Sequence, residues 1–233
     1  ANSLDANTTG SDNTAIGDNA LGANTTASYN TAVGADALLV NTTGEENVAV
    51  GYTALDANTT GVSNVGIGSG ALGTNAQGDN STAVGTNALF TQNPSGNADM
   101  NNTAVGYYAL RLSTTGTNNT AVGSSALTAN TTGADNTAIG KDALKDPTTA
   151  SYNTAVGALA NENNTTGASN VAVGRAALNE NTTGSQNTAI GRSALLANST
   201  ADNNTALGYQ ALTANTTGTE NTASGVYALE DNT

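Results

Sequence analysis

Residues Asn30–Gly34 read N-T-A-V-G, and the same five return at Asn102–Gly106, Asn119–Gly123 and Asn153–Gly157. Aligned on its glycine, the chain resolves into a ladder at Gly17, Gly34, Gly51, Gly68 and Gly85. The ladder resumes at Gly106, Gly123, Gly140, Gly157, Gly174, Gly191, Gly208 and Gly225. Every step is 17 residues except one of 21, between Gly85 and Gly106. The unit is N-T-A-V-G-x-x-A-L-x-x-N-T-T-G-x-x. A β-branched ladder runs just before the glycines (Val33, Val50, Val84, Val105), and a leucine ladder runs after them (Leu21, Leu38, Leu55). The leucine ladder breaks once, where Asn161 takes the slot and Leu159 sits two places early.

A 17-residue period is too short for a helix pair, and glycine with β-branched residues in every unit opposes helix. It suits one coil of an all-β fold, a β-solenoid (β-roll or β-helix) of about thirteen coils, one per unit. Stacked at about 4.8 Å, such coils extend on the order of 60–65 Å. Identical residues then superpose, so each copy is a template for its neighbour's backbone hydrogen bonds and packing. This explains why Gly34 and Gly51, or Asn30 and Asn102, recur at fixed slots. Within a coil, T-A-V is a short strand with Thr and Val on one face and Ala on the other. The valine ladder and the leucines of A-L are expected to form the core. Gly permits a sharp bend, and N-T-T-G is a turn by composition. The asparagines are expected to stack on one another or to cap turn backbone.

Residues 1–233 read as one repeat array. The long coil within 86–102 inserts four residues, holds the only Phe and the only Met, and is expected to bulge outward. Pro147 replaces a turn asparagine, a place where a missing N–H is tolerated. Both ends fall in mid-repeat, so a segment of a longer array, or a subunit stacking end to end, is expected.

Eighteen acidic and five basic residues give a formal charge of −13, which argues against nucleic acid or an anionic membrane as partner. There is no Cys and no His, so neither a nucleophile–histidine pair nor a thiolate metal site can be built. The carboxylates that sequence alone offers for catalysis (Asp5, Asp12, Asp18, Glu45, Glu46) are scattered, and no enzyme activity, cofactor or metal is expected. No long apolar run or signal peptide is visible, so no direct membrane insertion is expected. Nine turn asparagines, Asn7 and Asn24 among them, open Asn-x-Thr/Ser sequons, which read as turn chemistry. The side chains that stand out as partner contacts are Tyr52, Tyr107, Tyr108, Tyr209 and Tyr227, together with Phe90 and Met100 of the long coil.

The N-T-A-V-G-x-x-A-L core resembles the head repeats of YadA-like trimeric autotransporter adhesins and the similar repeats of phage tail fibres. The likeness covers essentially the whole chain. Two features depart from it: the unit is 17 residues where the family's is typically 14, and no coiled-coil stalk or anchor is visible. The resemblance implies an extracellular or virion-surface β-roll used for attachment, a homotrimer, and a host glycan or protein as partner. The first reading is therefore a non-enzymatic structural or adhesive fibre segment. A rival is an ice-binding solenoid using a threonine ladder (Thr14, Thr31, Thr82, Thr103, Thr120, Thr137). That ladder is interrupted by Val48, Val65 and Val171, and it lacks an outward T-x-T pair.

Overall fold

The computed structural model describes residues 2–232, and among them there are strands and turns but no helix. The chain divides into two compact units, Ala1–Asn118 and Asn119–Thr233. Each is a parallel β-solenoid. In the first, the strands Thr14–Ile16, Thr31–Val33, Val48–Val50, Val65–Ile67, Thr82–Val84 and Thr103–Val105 pair in sequence order. In the second, Thr120–Val122, Thr137–Ile139, Thr154–Val156, Val171–Val173, Thr188–Ile190, Thr205–Leu207 and Thr222–Ser224 do the same. Register follows the repeat, Thr31 on Thr14 and Val33 on Ile16. It survives the insertion, with Thr103 on Thr82 and Val105 on Val84. Backbone bonds tie coils at the strand, the leucine and the turn: Thr31 N–H to Asn47 O at 2.8 Å, Leu21 N–H to Ala37 O at 3.0 Å, Thr8 N–H to Thr25 O at 2.9 Å.

The faces of the strand are the reverse of the sequence expectation. Ala32, Ala49, Ala83 and Ala104 are fully buried, whereas Val33, Val50 and Val84 are half-buried and Val105 is 37% exposed. The core is alanine and leucine. Its width is read at Gly66, which stands where the strand alanine usually does. A Cβ there would lie 3.2 Å from Leu55 Cγ and 3.1 Å from the Ala71 carbonyl oxygen. Only a methyl fits between the strand and the leucines of the previous coil, so alanine points in and valine must point out.

Tight coiling also forces left-handed backbone. The bend glycines have φ near +136°, and a Cβ on Gly34 would sit 2.5 Å from the Gly51 carbonyl oxygen. Leu21, Leu38 and Leu55 adopt φ of 51°, 50° and 52°, a conformation that costs an L-residue about 1–2 kcal/mol. Full burial of each leucine returns about 1.5–3 kcal/mol, which offsets it.

Two buried asparagine ladders supply the polar interior. Asn30, before the strand, accepts from the Asn47 N–H through Oδ1 at 3.0 Å and donates through Nδ2 to Gly44 O at 2.9 Å. Asn41, in the turn, donates to the same Gly44 oxygen at 2.9 Å and to Asn24 Oδ1 at 3.2 Å. Both ladders thus stack and cap, and the turn amides from Asn24 to Asn215 are buried among them.

The long coil bulges less than expected. Ala98–Asp99 pairs in parallel with Gly78–Asp79, so part of the insertion is itself a strand. Gln92 occupies the turn-asparagine slot, donating to Ser81 Oγ at 3.0 Å and accepting from Asn102 Nδ2 at 2.9 Å. Asn93, Ser95, Asn97 and Asp99 are exposed, while Pro94 and Met100 are buried.

Candidate functional site

Two surfaces carry what the repeat does not explain as packing. The first is the outward strand face. Each three-residue strand presents Thr or Val at its first position and Val, Ile or Leu at its third (Ser at the last), with no charge in any of them. In the first unit Ile16, Ile67 and Val105 are 61%, 38% and 37% exposed. In the second, Val122, Ile139, Ile190 and Leu207 are 36–49% exposed. Most of these side chains are β-branched and stiff at χ1, so the face is a fixed array of methyls and hydroxyls. Sequence reasoning missed it because it sent valine inward. The interchange of Thr with Val48, Val65 and Val171 in one column was the available signal, since a solvent-facing slot accepts both and a packed slot does not.

The second surface is the edge just after the bend glycine. Tyr52, Tyr107, Tyr108, Tyr209 and Tyr227 all lie on it, Tyr108 and Tyr209 half-exposed and the others exposed. They are partly engaged with one another. Tyr107 and Tyr108 stack at 3.9 Å with 22° between planes, and the Arg111 guanidinium lies 4.7 Å over Tyr108. Tyr209 meets Tyr227 edge-on at 5.2 Å, and Arg192 lies 5.5 Å over Tyr209. The hydroxyl bond between Tyr107 and Tyr108 holds the Tyr107 phenol above its usual range and Tyr108 below it. A bond to Tyr209 likewise raises Tyr227.

The other sequence candidates fall elsewhere. Met100 is 1% exposed and cannot touch a partner, because it fills the interior of the long coil. The Phe90 ring is half-buried over Gly70 and Gly73, whose missing side chains make its seat. Asp5, Asp12, Asp18, Glu45 and Glu46 are exposed and do not converge. Among the described residues no group of three metal-ligating side chains and no pocket is present. No described helix is long and apolar enough to cross a membrane. Compared with protein-family models, curated proteins and solved structures, the chain matches none.

Proposed function

We propose that this chain is a structural and adhesive segment of an extracellular fibre, without enzyme activity, whose copies associate through the outward strand face. The observation that carries the reading is that face: in register, uncharged, stiff, and exposing an aliphatic side chain on seven of the thirteen three-residue strands, with a half-buried valine on five more. A solvent-exposed apolar array of this regularity marks an interaction surface. The resemblance to adhesin head repeats supports the extracellular setting and a trimer. Light scattering with negative-stain imaging tests association. A mass of three chains is expected, and Val122→Glu with Ile139→Glu should reduce it to one. A monomeric parent chain overturns association.

A second reading attaches to the same face. Where the threonine column is interrupted, Val48, Val65 and Val171 keep the outward methyl, so the array stays regular enough to order water. A monomer with thermal hysteresis, lost in the same double variant, would favour ice binding over the fibre.

A further inference from the structure

All five cations of the chain lie on the post-glycine edge: Arg111, Lys141, Lys145, Arg175 and Arg192 stand one or five places after a ladder glycine. Lys141 pairs with Asp142 at 2.8 Å and Lys145 with Glu162 at 3.6 Å. Arg111, Arg175 and Arg192 form no ion pair among the described residues, and of these Arg175 and Arg192 share one slot in adjacent coils. That register is fixed by Ser193 N–H to Arg175 O at 3.0 Å and Gly191 N–H to Val173 O at 2.8 Å. Both arginines rise from turn positions of adjacent coils, where like charges repel. The next coil continues the column with Tyr209; in the coil after it Val226 takes the slot, and Tyr227, one place further on, meets Tyr209 edge-on at 5.2 Å. Arg192 lies over the Tyr209 ring at 5.5 Å, and both arginines remain exposed to solvent.

We propose that Arg175, Arg192, Tyr209 and Tyr227 form a binding strip for an acidic polysaccharide, a polyuronate. The inference deepens the attachment reading and rests on it. The two guanidinium forks fit sugar carboxylates bidentately, and an anion between them removes their mutual repulsion. The tyrosine edges and hydroxyls meet the sugar ring and its hydroxyls. An open edge without a cavity suits an extended polymer over a small ligand. The overall charge of −13 does not forbid this, because at physiological salt screening acts within about 8 Å; the opposing carboxylate that acts on the strip is Glu230, beside Tyr227.

The test is retention of the purified chain on immobilised alginate at physiological salt, beside neutral dextran, with light scattering on the same samples. The parent chain should be retained on alginate alone. Arg175→Gln with Arg192→Gln should weaken retention about tenfold or more, the loss of charge-assisted contacts. Tyr209→Ser with Tyr227→Ser should weaken it with both arginines intact. All four side chains reach solvent, so the variants should keep the parent's mass and circular dichroism. No retention on alginate, equal retention on dextran, or an unchanged arginine variant overturns the strip. In each of these cases the scattering mass still reports on the fibre reading separately.

Discussion

Asp79 is buried beside the insertion, directly across from Asp99 in the strand pair. Burial pushes its carboxyl up from the ordinary 3.8; a Val62 N–H donated to Oδ1 at 2.7 Å opposes this, and the Asp99 charge adds to it. The folded value therefore exceeds the unfolded one, and between the two the native state holds more protons. Stability must fall as pH rises through that window and stay lower above it. Asp79→Asn keeps an oxygen for Val62 and removes the charge. Urea midpoints from pH 7 down to pH 4 should show a more stable variant at neutral pH and a smaller gain on acidification than in the parent. Identical slopes in the two proteins would exclude Asp79 as the source.

At the scale of the strand, inside and outside are set by volume. Ala83→Val forces two extra methyls against leucine and should cost about 1–3 kcal/mol. Val84→Ala, on the outer face, should cost well below the ~2–5 kcal/mol of a core truncation such as Leu89→Ala. Denaturant midpoints of the three variants give the order directly, and Val84→Ala as the costliest would return valine to the core. This is also where the sequence was legible and where it was not. Period-two alternation puts Thr31 and Val33 on one face, and the 17-residue glycine ladder fixes register and coil count. Neither says which face is interior, because hydrophobicity favours valine and only the narrow coil favours alanine. Gly66 was the one hint of that narrowness. The left-handed leucines were invisible, since leucine has no preference for positive φ and the coil imposes it. The outward strand face was lost with the same inversion, whereas the tyrosine edge was legible from slot counting. The burial of Met100 was not legible, because four inserted residues erase the register that placed every other side chain.

For a whole unit, stability is close to a sum over coils and their interfaces, so one poor coil sets where the stack opens first. In the second unit that coil carries Asn161. Its amide is fully buried in the leucine column, and neither Oδ1 nor Nδ2 has a hydrogen-bond partner. Asn suits φ of 49° better than leucine does, worth about 1–2 kcal/mol. Against that stand about 1–3 kcal/mol for the unpartnered amide and about 1.5–3 kcal/mol of missing leucine burial. Asn161→Leu should therefore stabilise by about 0.5–5 kcal/mol. Native-state hydrogen exchange locates the effect. The Leu144, Asn161 and Asn163 amides, bonded to Ala160, Ala177 and Asn179 carbonyls at 2.9, 2.9 and 3.1 Å, should exchange faster than the equivalent Leu195 amide bonded to Ala211. In Asn161→Leu these amides should slow to match it. Uniform protection in the parent chain would mean that the coils open together, and that a single buried amide is too small a defect to divide the stack.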